Sequence, residues 1–230
     1  MSVPPGQPPA DPLDWRPQRP RATRRPAAIR DPILEPLWSG LRVLAHFTVQ
    51  PAGDAGANLV LLDDDGVDAA AIAPQATDSL RAAVMALDAV IDGVLTHQTA
   101  AAGRGTAIVA RADVSPVAML LPSRPELDYP ARTRPAPDAT LAFVALDLLR
   151  VDGQPLLDLP LLERKRLLES VIRPDAHVRL SPLARPPLST WFASWRSAGF
   201  RGVMMKAANS RYRPGASTTE WSEIIQTPRG

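Results

Sequence analysis

Hydrophobic and polar residues alternate along several short segments of the chain, and this period of two predicts β-strands. The segment LRVLAHFTV, which starts at Leu41, alternates in this way, and the turn-rich PAGDAGAN separates it from NLVLL. Together they predict a β-hairpin. The same reading predicts a Pro-rich loop at residues 122–138. Further strands are predicted at residues 89–95, 105–112, 140–149, 178–182, 202–207 and 221–225.

Apolar residues recur every three to four positions in three other segments, which predicts amphipathic helices. In the first, Leu80, Val84 and Leu87 share one face, and Asp78 is the expected N-cap. The second follows Pro160, a residue that suits the first turn of a helix. Strands and helices are interleaved irregularly, so the expected class is α+β with largely antiparallel sheets. The three predicted helices cover residues 78–90, 161–172 and 188–198.

Residues 1–29 differ from the rest of the chain because they contain eight prolines, a run of arginines and almost no aliphatic side chains. Such a segment cannot bury enough apolar surface to offset its ordering entropy. We therefore expect a disordered or loosely docked tail at 1–29 and one domain at 30–230. The tail is either a basic arm for nucleic acid or a solubilising segment.

The amino-acid composition excludes several kinds of catalytic and metal-binding site. The chain has no cysteine, which excludes disulfides, Cys-ligated zinc and thiol catalysis. Three scattered histidines without a nearby Ser or Cys partner predict neither a metal site nor a catalytic triad. No apolar run reaches the roughly 18 residues needed to span a bilayer, and the N-terminus does not resemble a signal peptide. We expect a cytoplasmic, nucleoid-associated protein with no membrane partner.

The net charge is only +2, but the charges are uneven along the sequence, with both ends rich in arginine. Basic segments favour contacts with phosphate groups. The alternative explanation for these arginines is the codon bias of a GC-rich genome rather than phosphate binding. All lysine and arginine positions other than Lys165 and Lys206 are indeed arginine.

Five segments resemble, in order, the nucleotidyltransferase motifs of bacterial ATP-dependent DNA ligases of the end-joining type. The resemblance spans about residue 30 to residue 226. It implies the fold shared by DNA ligases and mRNA capping enzymes, which is similar to ATP-grasp. The segments are EPLWSGLR from Glu35, VIDG from Val90, FVALDLL from Phe143, PLLER from Pro160, and GFRGVMMK from Gly199 with SRYRPG and Trp221 after it.

In the family that the chain resembles, a lysine in the first motif attacks the α-phosphate of ATP, and the AMP then passes to a DNA 5′-phosphate. The corresponding residue here is Leu37, which has no nucleophilic atom. No neighbour in sequence can replace it, because residues 1–162 contain no lysine and arginine stays protonated. The resemblance therefore implies a ligase fold without lysyl-adenylate chemistry.

Other positions that serve the nucleotide in the family also differ. Val94 stands where the family has a carboxylate, Arg201 where an acid helps to hold a divalent ion, and Leu146 where an aromatic ring packs on adenine. Glu223 and Ile225 replace the two lysines that hold the α-phosphate. We therefore expect no catalytic residue, no metal site, and no ATP or magnesium as cofactor.

Arg42 and Lys206 do match family residues near the nucleotide, so they are the candidates for phosphate binding. The other matching positions, such as Gly40, Gly93 and Trp221, are those of the scaffold. The sequence also ends where the family continues into an OB-fold domain, so we expect no such domain.

The motifs and their replacements lead to two main hypotheses for the function. The first is a catalytically inactive ligase-like protein that acts in DNA repair or end joining by binding nicked or broken DNA, or a repair protein. The alternative is an active ATP-dependent ligase or nucleotidyltransferase with an unusual nucleophile such as Lys206. A decaying paralogue without selected activity is a third possibility that the sequence does not separate from the first.

Overall fold

The structure is a computed structural model, and it describes residues 8–21, 29–50, 57–98, 140–198, 200 and 202–225. The strand predicted at 105–112 and the loop predicted at 122–138 lie outside these residues. The described strands, in chain order, are β1 (Arg19–Pro20), β2 (Pro32–Pro36), β3 (Leu41–Val49), β4 (Ala57–Asp63), β5 (Asp88–Gln98), β6 (Thr140–Val151), β7 (Gln154–Pro155), β8 (Val178–Leu180), β9 (Gly202–Ala207), β10 (Ser217–Thr218) and β11 (Trp221–Ile225). The described helices are α1 (Pro74–Ala83), α2 (Leu161–Val171) and α3 (Leu188–Ser197), with short 3-10 turns at Pro12–Asp14 and Ala70–Ile72.

The larger sheet has the strand order β4-β3-β5-β6-β7 in the described part of the chain, and β8 pairs with β6 on a side path. All its pairs are antiparallel except β6 with β8. The predicted hairpin is confirmed as β3 and β4, with Val43 opposite Asp63 and Val49 opposite Ala57. The expectation of an α+β fold with largely antiparallel sheets is therefore correct.

Period-two alternation divides the larger sheet into two faces. On one face Val43, Ile91 and Phe143, all fully buried, pack with Leu80 of α1 and Leu168 of α2 to form the largest hydrophobic core. The helices thus cover one face of this sheet. The other face is free to pack against a second sheet.

The second sheet has the order β11-β9-β2, and both pairs are antiparallel. The sequence did not predict β2, a short run with proline at each end. Leu44 and Val90 of the larger sheet pack with Met204 and Trp221 of the smaller one, so the two sheets are stacked face to face. The outer face of the smaller sheet is covered by α3, whose Phe192 and Trp195 contact Leu34 and Val203.

The helix predicted at 78–90 is displaced in the structure. α1 begins at Pro74 and ends at Ala83, and Asp78 forms a surface ion pair with Arg81 rather than an N-cap. Proline at the first helical position is a start signal that the apolar pattern hid. Val84 pairs with Ile172 in a β-bridge, and the following residues enter β5.

Residues 8–21, which belong to the predicted segment 1–29, pack against residues from the far end of the chain. Trp15 is only 4% exposed, and its indole nitrogen donates to the carbonyl of Pro9 at 2.9 Å. β1 pairs in parallel with β10. One large aromatic side chain and a few backbone hydrogen bonds fix the segment despite its lack of aliphatic residues. The boundary at residue 29 stays a prediction.

None of the helices in the described residues combines the length and the apolar character needed to cross a membrane.

Candidate functional site

A cavity of about 100 Å³ lies between the two stacked sheets. The larger sheet contributes Arg42, Val94 and Leu146, and the smaller sheet contributes Met204, Lys206 and Glu223. The chain from β2 to β3 forms the remaining wall, with Glu35, Pro36, Leu37, Trp38 and Gly40. The fold therefore brings together six of the positions that the sequence analysis selected: Leu37, Arg42, Val94, Leu146, Lys206 and Glu223.

The other two selected positions are placed differently. Ile225 does not line the cavity and is 48% exposed. It lies two residues beyond Glu223 on β11, opposite Gly202 at the start of β9, and so reaches past the cavity. Arg201 lies outside the described residues.

Two motif glycines lie at this site: Gly40 lines the cavity, and Gly93 directly precedes Val94, which lines it. Gly40 has a φ of 151°, and a Cβ there would lie 2.1 Å from the carbonyl oxygen of Leu95. Gly93 follows a β-bulge in β5, and a Cβ there would lie 2.3 Å from the ring of Phe143. Neither position has room for a side chain, which gives these two motif glycines a steric role.

Apolar side chains cover much of the cavity wall. Leu37 packs against the cluster that contains Met204, Tyr212 and Trp221. Val94 and Leu146 are 3% and 4% exposed, and Trp38 packs against both of them. The wall therefore offers van der Waals contact at positions where a nucleotide site would offer charges or an aromatic ring.

Both lysines of the chain meet on one carboxylate. Glu35 is 1% exposed at the end of β2, and one of its oxygens contacts the Nζ of Lys165 on α2. Its other oxygen lies 2.6 Å from the Nζ of Lys206 on β9. The Lys206 ammonium position also lies 4.5 Å from the centre of the Trp221 ring. We call Glu35, Lys165 and Lys206 the lysine cluster.

One carboxylate cannot neutralise two buried ammonium groups. Burial lowers the pKa of Lys206 from 10.5 to about 7, and the positive charge of Arg42 acts in the same direction. Burial also lowers the pKa of Lys165 well below its ordinary value, with Lys206 as the next largest cause. Desolvation disfavours the charged form, so a neutral amine is accessible near neutral pH within this cluster.

A second ionic group ties the cavity to the N-terminal segment. Arg42 donates to both carboxylate oxygens of Asp92, from Nε at 2.5 Å and from Nη2 at 2.6 Å. The hydroxyl of Tyr212 donates to Asp92 at 2.7 Å and accepts from the backbone N–H of Gln18 at 2.8 Å. Burial would lower the pKa of Arg42, but the Asp92 carboxylate outweighs it and raises that pKa further above its ordinary value.

A third group is fully enclosed by protein. Asp147 and Arg164 are both 0% exposed, and Arg164 donates to the two carboxylate oxygens at 2.9 and 2.7 Å. The remaining guanidinium nitrogen of Arg164 donates to the carbonyls of Leu159 and Ser210. This pair has its charges and donors matched, and it links β6 to α2 and to the loop before β10.

The sequence analysis missed Glu35 and Lys165 as members of the site. Their signal was present but weak: Glu35 is a charged residue inside the apolar run PILEP, and Lys165 is one of two lysines in an arginine-rich chain. Only the pairing of β2 with β9, and the packing of α2 beside it, places the three side chains together. Among the described residues no group of three or more His, Cys, Asp or Glu side chains could hold a metal ion.

Comparison with solved structures defines the class of this fold. A mycobacterial DNA ligase D, described as complexed with ATP and MES, matches with a TM-score of 0.63 and 21% identity over 94% of this chain and 61% of that one. A Chlorella virus DNA ligase-adenylate matches with a TM-score of 0.53 and 13% identity over 92% of this chain and 67% of that one. The chain has the nucleotidyltransferase fold of DNA ligases.

Sequence comparison finds matches to ATP-dependent DNA ligases over part of the chain. The family model described as ATP dependent DNA ligase domain matches residues 119–224. A DNA ligase of Methanocorpusculum labreanum is 33% identical over 85 residues, which is 37% of this chain and 16% of that protein. The multifunctional non-homologous end joining protein LigD of Mycobacterium bovis is 33% identical over 84 residues, or 36% of this chain and 11% of that protein. The matched part is thus a small fraction of each relative.

Together these findings support a bacterial-type ATP-dependent DNA ligase adenylation domain: the solved structures give the fold, and the family model matches residues 119–224.

Proposed function

We propose that this domain does not form a lysyl-adenylate and acts in DNA repair or end joining by binding DNA or a repair partner. The observation that carries the proposal is the side chain at the nucleophile position of the resembled motif. Leu37 lines the cavity there with a hydrocarbon side chain. No atom of leucine can take up AMP.

The size of the cavity supports the proposal. Small-molecule sites in proteins usually measure roughly 300–1,000 Å³. The cavity between the sheets measures about 100 Å³, well below that range.

The charges of the cavity also argue against nucleotide binding. Arg42 is held by Asp92, and Lys206 is held by Glu35, so neither cation is free to meet a phosphate. Glu223 adds a carboxylate at the cavity wall, which repels a triphosphate. The residues present therefore do not fit ATP and magnesium, and no catalytic step is assigned to them.

A basic surface beside β1 supports the DNA-binding part of the proposal. Four arginines are exposed on this surface: Arg19, Arg21, Arg211 and Arg213. Hydrogen bonds hold the segment that contains Arg19 and Arg21 against the loop that contains Arg211 and Arg213. Asp64 lies 2.5 Å from Arg19, and Asp158 contacts Arg211. Within the described residues Arg21 and Arg213 have no ion-pair partner, so they are the candidates for phosphate contacts.

Fluorescence anisotropy with a labelled nicked duplex at several salt concentrations tests this part. We expect binding whose logarithm falls linearly with the logarithm of salt concentration. The double variant Arg21→Ala, Arg213→Ala is expected to reduce that slope by roughly 2, about one unit for each phosphate that is no longer neutralised. The matched control is Arg81→Ala, Arg166→Ala, which removes two exposed helix arginines engaged in local pairs. Absence of binding, or binding that ignores salt, contradicts the DNA version.

One observation favours the alternative of an active enzyme with an unusual nucleophile. Lys206 lines the same cavity as Leu37, and burial lowers its pKa to about 7, so part of the population carries a neutral amine. Incubation with α-labelled ATP and a denaturing gel separates the two functions. We expect no covalent label on the wild-type chain. A label that disappears in Lys206→Arg establishes the alternative.

The variant Leu37→Lys asks whether the nucleophile alone is missing. We expect it to stay unlabelled by ATP, because Val94 and Glu223 remain and the cavity stays small. Labelling of this variant would mean that the pocket still binds ATP. The proposal would then be confined to the loss of the lysine.

A further inference from the structure

The two lysines of the chain lie at one site but differ in their surroundings. Both amino groups contact Glu35, and both are almost fully buried, with Lys165 at 4% and Lys206 at 1% exposure. Lys206 lines the cavity between the sheets, whereas Lys165 does not. The same carboxylate therefore contacts one lysine that lines the cavity and one that does not.

The surroundings of Lys206 are those of an activated amine. A lysine becomes nucleophilic near neutral pH when it is desolvated or lies near another cation. Lys206 is desolvated, shares Glu35 with a second ammonium group, and lies on the same cavity as Arg42. The carboxylate 2.6 Å away can accept the proton that the amine must lose.

We propose that Lys206 forms an imine with short aliphatic aldehydes that enter the cavity. The size of the ligand follows from the space: an apolar cavity of about 150 Å³ holds benzene, and this one measures about 100 Å³. The ligand is therefore smaller than benzene. Leu37, Val94 and Leu146 provide contact for its hydrocarbon part.

The bonds and protons of this step balance without a further reactant. The neutral Nζ of Lys206 attacks the carbonyl carbon, the new C–N bond forms, and the carbonyl π-electrons move to oxygen. Glu35 relays both protons of the amine to that oxygen in turn: the first makes the hydroxyl of the carbinolamine, and the second makes the water that leaves. The C=N bond of the imine replaces the C=O bond of the aldehyde, and nothing is oxidised or reduced.

The experiment treats the folded chain with propanal and sodium cyanoborohydride at pH 7 and maps the propylated lysines by peptide mass spectrometry. Reduction of the imine makes the adduct permanent. We expect Lys206 to be modified at least about tenfold faster than Lys165, because both amines have a lowered pKa and only Lys206 borders the cavity. The α-amino group of the purified chain reports that the reagent is active.

Three comparisons assign the reaction to the cavity. The same treatment in concentrated urea is expected to modify both lysines equally, which shows that their peptides are detected alike. Pyridoxal phosphate, a much larger aldehyde, is expected to leave Lys206 unmodified. The variant Leu37→Trp narrows the cavity without touching either lysine and is expected to reduce modification of Lys206 several-fold, with its fold checked by thermal unfolding.

Two results overturn the proposal. One is an unmodified Lys206 in a folded sample whose α-amino group has reacted. The other is equal modification of Lys165 and Lys206 in the folded chain, which would mean local opening rather than reaction in the cavity. Neither result bears on DNA binding, so the proposed function is tested separately.

Discussion

Two buried ionic groups differ in how their charges are matched: the pair of Asp147 with Arg164, and the lysine cluster. Asp147 and Arg164 match one negative charge with one positive charge, and backbone carbonyls accept the remaining donors. The lysine cluster sets one carboxylate against two amines. The balanced pair lies away from the cavity, and the unbalanced cluster borders it.

This difference separates two roles of buried charge. A complete ion pair in the interior holds elements together and strongly disfavours loss of either partner. A cluster with a surplus cation responds instead by releasing a proton, since lysine can become neutral and arginine cannot. The first is a scaffold element, and the second is a place where chemistry can occur.

The largest effect is expected from Asp147→Asn. This change leaves the guanidinium of Arg164 fully buried without a counter-charge, and it should reduce the free energy of unfolding by about 3–5 kcal/mol. Urea unfolding followed by circular dichroism measures it. A loss of less than about 1 kcal/mol would show that water reaches Arg164 and that the pair is not a scaffold element.

A smaller loss is expected from Glu35→Gln. Two amines lose their counter-charge, but each can shed its proton, so the cost at pH 7 should be about 1–3 kcal/mol. The loss should shrink as the pH rises towards 10, because the unfolded lysines then also approach neutrality. Urea unfolding at pH 7 and pH 9 measures both values. A loss as large as that of Asp147→Asn would remove the distinction between the two groups.

The variant Lys206→Met tests the sign of the pH dependence. The pKa of Lys206 is about 7 in the folded chain, and its ordinary value of 10.5 applies to the unfolded chain. Between pH 7 and pH 10.5 the unfolded chain therefore binds more protons than the folded chain. Stability from this group therefore rises with pH in that window. We expect the rise between pH 7 and pH 9 to be shallower in Lys206→Met than in the wild type.

At pH 7 itself Lys206→Met is expected to raise the free energy of unfolding, because Met has no proton to lose on folding and Glu35 and Lys165 remain as a matched pair. Measurements stop at pH 9, because burial also raises the pKa of Tyr212 well above its ordinary value and adds an opposite trend above pH 10. An unchanged slope would mean that Lys206 keeps its proton throughout this range.

The smallest effect is expected from Asp78→Ala, which breaks an exposed ion pair with Arg81 on α1. Water and salt screen such a pair, so thermal or urea unfolding should detect less than about 0.5 kcal/mol. This variant sets the baseline for the two buried groups. A loss above about 1 kcal/mol would point to a role of Asp78 in the helix itself.

Much of the fold could be predicted from the sequence because its signals are local. The alternation in Leu41–Val49 and the apolar periodicity of Leu161–Val171 each depend on neighbours within a few positions, and both elements appear as predicted. The start of α1 was predicted wrongly, since Pro74 lies outside the apolar pattern that was used. Trp15 was hidden in a proline-rich segment whose composition is typical of disorder.

The sequence by itself determined the family resemblance, the absence of lysine before residue 163, and the replacement of the expected nucleophile by Leu37. These are properties of single positions in an ordered set of motifs. The tertiary structure decided which charges meet: Glu35, Lys165 and Lys206 come from three separate elements, and Gln18 reaches Tyr212 from the other end of the chain. Contacts between residues so far apart in the chain leave no local pattern, because strand pairing and helix packing create them only when the chain folds.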